Sequence, residues 1–152
     1  MGVHDLTLCP HYDRVLLTTT KGYKMGDRAN FGLKQSDGNT IFLYSHWGGE
    51  GMMNTLAESL SAARPRWNDE GYATRIIISQ IIGNDWAEET GYGLYVNQIG
   101  DNEHSVPVVD FDSQTVSLYE ASFMIPFVQK NPKFTMGFEA FINKFAKYLT
   151  SV

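Results

Sequence analysis

The chain has 152 residues, 43% of them hydrophobic and 13% aromatic, and 12 basic against 17 acidic side chains leave a formal net charge of −5. That length suits one domain, the apolar content is too high for a disordered tail, and no run approaches the ~18 apolar residues of a membrane span. The acidic balance disfavours non-specific nucleic-acid binding, which needs a surplus of lysine and arginine, and the single cysteine, Cys9, fits a reducing cytoplasm.

Residues 1–24 form neither a helical stripe nor a clean alternation, because Pro10 and Thr18-Thr19-Thr20 interrupt Leu6, Leu8 and Val15-Leu16-Leu17. They also lack the basic start, long apolar stretch and cleavage site of a secretory signal. A second methionine, Met25, follows Lys21-Gly22-Tyr23-Lys24. Lys-Gly can be encoded by a purine-rich ribosome-binding sequence, so residues 1–24 read as a translated leader before a native start at Met25. The competing reading is an N-terminal arm on a domain spanning 25–152.

From Arg28 the pattern becomes regular. Ala29–Lys34 alternates, Asp37-Gly38 gives a hairpin turn, and Thr40-Ile41-Phe42-Leu43-Tyr44 is a β-branched and aromatic strand ending at Trp47-Gly48-Gly49. Met52, Met53, Leu56, Leu60 and Ala63 then recur at helical spacing until Pro65. Asn68 or Asp69 can cap a second helix with Ala73, Ile76, Ile77 and Ile81 on one face; its β-branched isoleucines leave a buried strand as the alternative.

Strands follow at 93–97, 106–111 and 116–119, joined by turns at Gly100-Asp101-Asn102 and Asp112-Ser113-Gln114. Pro107 suits an edge strand or the first residues of a strand. Residues 122–134, with Pro126 and Pro132, read as an irregular connection. Phe138, Phe141, Ile142, Phe145, Tyr148 and Leu149 form a last helical stripe with Thr135 available as its cap. The order β-β-α-α-β-β-β-α predicts one α+β domain, with about three helices packed on a largely antiparallel sheet of about five strands.

Five polar groups sit at element ends. The first is Gly26-Asp27-Arg28-Ala29-Asn30, where Asp27 and Arg28 can pair with each other or with a neighbour. The second is Tyr44-Ser45-His46-Trp47-Gly48-Gly49, in which alternation puts Phe42, Tyr44 and His46 on one face and two glycines let a ligand approach backbone. The third is Arg66-Trp67-Asn68-Asp69 with Tyr72 and Arg75. Its guanidinium groups can clamp an anion and its rings can stack on a planar one; alternatively Arg75 pairs with Asp69 or Glu70. The fourth is the turn Thr90-Gly91-Tyr92-Gly93. The fifth, Gly100-Asp101-Asn102-Glu103-His104, can supply hydrogen bonds or a Glu103/His104 acid–base pair, or be plain turn chemistry.

No spacing fixes a metal site, since no His-x-x-x-His or cysteine pair is present and Asp110-x-Asp112 lacks the other ligands of a calcium loop. Neither a phosphate-binding Gly-x4-Gly-Lys-Ser/Thr loop nor a Gly-x-Ser-x-Gly elbow occurs, and no cofactor is expected.

Taken together, Gly26–Asn30, Leu43–Gly49, Arg66–Asp69 with Tyr72, Arg75 and Ile76, Thr90–Gly93, Asp101–His104 and Val108-Val109-Asp110 resemble a family of small bacterial and bacteriophage proteins of no settled activity. The resemblance covers residues 26 to about 119 and implies a shared fold and pocket.

The leading expectation is a cytoplasmic protein that binds a small anionic, ring-containing molecule, a nucleotide or nucleotide-derived signal. Arg28, Arg66 and Arg75 would meet phosphate, and Trp47, Trp67 and Tyr92 would stack on the base, with Tyr72 beside Trp67. The 101–104 tip, with Asp101 and Asn102, would bond its edge or the ribose; Asn30 and His46 complete the binding set, His46 where a phosphate or carboxylate can rest. In a phage setting such binding would sequester a host immune messenger, which is an argument by analogy. The rival is a hydrolase of a phosphodiester or glycosidic bond using His46 or His104 with Glu103. A third reading is an acidic module that inhibits a host protein through its aromatic surface. No membrane partner is expected, and association into an oligomer is compatible with this composition. For the leader, the intact mass of the protein from its natural source should match a start at Met25; a mass matching Met1 contradicts it.

Overall fold

The computed structural model describes residues 26–121 and 131–147. The supposed leader with Cys9, the start at Met25, the 122–130 part of the proline-containing connection, and Tyr148 and Leu149 lie outside the described residues.

The first hairpin forms where alternation and Asp37-Gly38 place it: β1 (Ala29–Lys34) pairs with β2 (Thr40–Ser45) from Ala29 opposite Ser45 to Lys34 opposite Thr40. Asp37 accepts the Asn39 N–H at 2.9 Å in the turn, and that bond holds its carboxyl below the usual carboxylate range. Helix α1 (Met52–Ala62) stops before the 3-10 turn Arg64-Pro65-Arg66. Helix α2 (Glu70–Ile82) is capped by Asp69, which accepts the Tyr72 N–H, and Gly83 closes it.

Between helix and buried strand, the isoleucine-rich segment is therefore a helix. Its buried stripe is Ala73, Thr74, Ile77, Ile78 and Ile82, with Ile76 and Ile81 half-buried beside it. Packing of that stripe against α1 and the sheet outweighs the modest helix penalty of β-branched residues.

Next come β3 (Tyr92–Val96), β4 (Val106–Asp110), β5 (Thr115–Tyr119), β6 (Phe134–Gly137) and α3 (Phe138–Phe145). The order across the sheet is β3-β2-β1-β4-β5-β6, antiparallel throughout except that β4 runs parallel to β1. Pro107 lies in the first residues of its strand, ahead of the β1 pairing that begins at Val108.

The fold is α+β as expected, with six strands rather than about five. The additional strand is β6, which begins at Phe134, the last residue of the segment read as irregular, and continues through Thr135, read as a helix cap; four residues are too few to show a period. Thr135 is not the cap of α3. It lies within β6, its hydroxyl is 2.7 Å from that of Ser117, and Gly137 takes the N-cap position.

Period-2 alternation builds two cores, one on each face of the sheet. Ala29, Phe31, Leu33, Leu43, Val109 and Val116 face the three helices, meeting Leu56, Leu60, Ile77, Phe138 and Phe141. On the reverse face, Phe42, Val106 and Val108 pack with Ile99 and Ala121. Phe141, fully buried on the inner face of α3, is expected to cost ~3–5 kcal/mol when cut to alanine. Urea unfolding monitored by circular dichroism checks this, and a loss below ~1 kcal/mol would mean that α3 does not complete the core.

Candidate functional site

Four of the five polar groups gather at one end of the sheet, where β1 begins, β2 ends and β3 begins. Backbone bonds tie them together: Asp27 N–H to His46 O at 2.8 Å, His46 N–H to Gly91 O at 2.9 Å, Gly49 N–H to Asp27 O at 2.9 Å and Glu103 N–H to Arg28 O at 3.0 Å.

The centre of this end is a buried carboxamide. Asn30 is fully buried on β1; its Oδ1 accepts the Gly100 N–H at 3.0 Å, and its Nδ2 donates to Asp101 O at 3.2 Å and to Asn102 Oδ1 at 3.1 Å. Asn102, itself buried, donates onward to the carbonyls of His104 and Ala121. Both side chains are buried with their N–H donors engaged, and they serve to fix the 98–105 loop against the sheet.

Consecutive residues of extended chain point to opposite sides, and this separates the charged pairs. Asp27 Oδ1 meets His104 Nε2 at 2.6 Å, with the partners 21% and 32% exposed, and Asp27 Oδ2 accepts the Glu50 N–H at 2.6 Å. A Cβ added at Gly49 would lie 2.5 Å from Asp27 Oδ1 and closer still to His104 Nε2, so glycine is required for that close approach. Arg28 instead faces Glu103, which accepts its N–H at 2.8 Å and lies 3.5 Å from its guanidinium. The Glu103/His104 acid–base pair does not form: adjacent in sequence, the two residues turn to different partners.

On the reverse face, Tyr44, Tyr95, Gln98, Ile99, Gly100 and Asp101 line a cleft of about 340 Å³. The Tyr44 hydroxyl lies 2.7 Å from His46 Nδ1, and its ring meets Tyr95 edge to face at 6.5 Å. Gly100 allows the loop to lie on Tyr44, since a Cβ there would be 2.8 Å from the ring. Burial pushes the Tyr44 phenol above its ordinary value of 10.0; the nearby Arg28 charge opposes this, while Asp101, Tyr95 and Glu103 add to it. Trp47 is half-buried, with its ring centroid 4.7 Å from that of His46 in an edge-to-face contact. Tyr92 is half-buried at the start of β3, its hydroxyl directed to Ile81 O at 3.5 Å.

The remaining group is elsewhere. Trp67 donates its indole N–H to Leu60 O at 3.0 Å and packs on Phe138 at 4.8 Å, so it belongs to the core. The Arg66 guanidinium lies 4.7 Å over Tyr72, and Arg75 is exposed on α2. Glu70 beside them accepts from Ser36, at the far end of β1, and Gln114 reaches Asn68. The length of β1, roughly 17 Å at ~3.3 Å per residue, separates this group from the other four. One pocket holding all three arginines is not assembled. Asp110 is likewise at the far end, accepting the Asp112 N–H at 3.0 Å in a turn and lying 3.7 Å from Lys34 Nζ.

Sequence reasoning missed Tyr95 as a site residue, named Tyr44 only as part of its segment, and offered Asp27 only as one half of a charged pair. The signal was present for the tyrosines, because the 42/44/46 alternation extends across the β2–β3 ladder to Tyr95. Comparison with protein-family models, with curated proteins and with solved structures finds no match.

The raised Tyr44 pKa has a defined sign in stability. The folded state holds the phenolic proton more tightly than the unfolded chain, so this contribution is complete below about pH 10 and is lost as pH rises through the folded value. Unfolding free energies measured by urea titration from pH 9 to 11.5 should fall for the parent and fall less steeply for Tyr44→Phe. Parallel curves for the two proteins would contradict the assignment.

Proposed function

We propose that this protein binds and retains a small anionic, ring-containing molecule, a nucleotide or nucleotide-derived signal, in the cleft beside Tyr44 and Tyr95. The observation that carries this reading is the cleft's composition. Tyr44, Tyr95 and Asp101 are among its lining residues, and Arg28, outside that lining, is near enough for its charge to act on the Tyr44 phenol. Its volume of about 340 Å³ falls within the range of ~300–1,000 Å³ usual for small-molecule sites.

In this role Tyr95 offers a ring face for stacking, and Asp101 accepts from a ribose hydroxyl or a base amino group. Arg28 is paired with Glu103 at 3.5 Å, but its side chain is one-third exposed and so open to a ligand from solvent. An incoming anion can therefore compete for this guanidinium. Asn30 and Asn102 shape the site without touching ligand, and Arg66, Trp67, Tyr72 and Arg75 take no part in it. In a phage setting, retention without turnover is sequestration of a host messenger.

A second reading, hydrolysis of a phosphodiester or glycosidic bond, is favoured by one observation. A carboxylate orients the imidazole of His104, which is the arrangement of a general base, with Asp27 in the place first given to Glu103. His46, held by Tyr44, would be the second imidazole.

One experiment separates the two. Protein is mixed with a panel of cyclic and linear nucleotides, filtered, heat-denatured, and both fractions are read by mass spectrometry. Retention of one nucleotide, released intact, is expected, with retention about tenfold weaker in Tyr95→Ala and Arg28→Gln and unchanged in Asp27→Asn. A converted product in the filtrate that disappears in Asp27→Asn would support the hydrolase instead, and no retention with no conversion contradicts both.

A further inference from the structure

The outer edge of β3 is open among the described residues and lacks the usual protections of a sheet edge. The opposite edge, β6, has only four residues and follows Lys133, whereas Tyr92–Val96 contains no charge and no proline. Gly91 and Asn97 bond inward to β2, through Gly91 O with the His46 N–H and the Asn97 N–H with Thr40 O. Alternation along an antiparallel ladder then turns the N–H and C=O groups of Leu94 and Val96 outward. Their side chains are 55% and 60% exposed.

Beside this edge is a groove of about 250 Å³ between the end of α2 and β3, lined by both apolar and acidic side chains. Its lining includes Ile82, Trp86, Tyr92 and Leu94, and Trp86 is 54% exposed. The groove is rimmed by Asp85 and Glu88, with Glu89 next to them, and the whole stretch 76–129 contains neither lysine nor arginine.

We infer that β3 is a docking edge for a basic, extended peptide segment of a partner protein, which adds as a seventh strand. The outward groups of Leu94 and Val96 supply main-chain hydrogen bonds, Trp86 and Leu94 hold an apolar side chain, and Asp85, Glu88 and Glu89 meet flanking lysine or arginine. The same acids argue against a second copy of this chain, because pairing two β3 strands about a two-fold axis would bring like charges together. This edge is separate from the Tyr44–Tyr95 cleft: Tyr95 points to the reverse face, Leu94 and Val96 to the helical one.

The test uses the full chain and a fluorescein-labelled peptide of alternating valine and threonine with two lysines at each end, read by fluorescence anisotropy. Saturable binding is expected, about tenfold weaker for Leu94→Lys, for the peptide with glutamate in place of lysine, and for a backbone N-methylated peptide. The N-methylated peptide leaves the protein unaltered, so its result does not depend on how a variant folds. Equal binding of the lysine and glutamate peptides, full binding of the N-methylated one, or no binding at all overturns the proposal. So does a dimer in sedimentation that Leu94→Lys abolishes, which would make a second copy the occupant.

Discussion

Asn30 occupies a strand position whose side chain is sealed from solvent, and a buried carboxamide is tolerated only when its donors and acceptor are all engaged. Here the partners come from about 70 residues further along the chain: the Gly100 N–H, the Asp101 carbonyl and the Asn102 side chain. Asn102 passes the connection to Ala121 at the end of β5. One polar chain thus ties β1 to the 98–105 loop and to the far side of β4. It works beside the bonds of Glu103 with Arg28 and of His104 with Asp27 to hold the loop that brings Asp101, Glu103 and His104 to the sheet end.

Everything functional at that end follows from where this loop is held. Glu103 and His104 meet Arg28 and Asp27 because the loop lies against the residues that lead into β1, where the Glu103 N–H bonds to Arg28 O. Gly100 lies on the Tyr44 ring and so defines one wall of the cleft, while Tyr95 across the β2–β3 ladder defines another. The glycines at 49 and 100 are spatial requirements of these contacts. Polar residues that a sequence reading assigns to a ligand thus divide into those spent on building the site and those facing it.

Much of the fold was legible in residue patterns. The β1–β2 hairpin, α1 and the stripe Phe138, Phe141 and Ile142 follow from apolar period and turn chemistry alone. Strand β6 was not legible, since it is short and sits among prolines and aromatics, and α2 was ambiguous because its isoleucines suit either element. The groups that form the site were visible as polar clusters at element ends. What the sequence could not supply was distance. Arg66, Tyr72 and Arg75 are attached to a helix start at the opposite end of β1, and Asn30 becomes structural only through a partner loop 70 residues away. Both facts belong to topology, which a local pattern does not encode.

The role of the Asn30 clasp can be measured at a single backbone group. Gly100 is a loop residue whose N–H is bonded to the Asn30 side chain, so its native-state hydrogen exchange reports directly on whether the loop is held. Protection at Gly100 comparable with that of sheet amides such as Leu33, reduced to loop-like exchange in Asn30→Ala while Leu33 stays protected, is the expected result. Rapid exchange at Gly100 in the parent protein, or protection that survives Asn30→Ala, would contradict the clasp as the constraint on which the site depends.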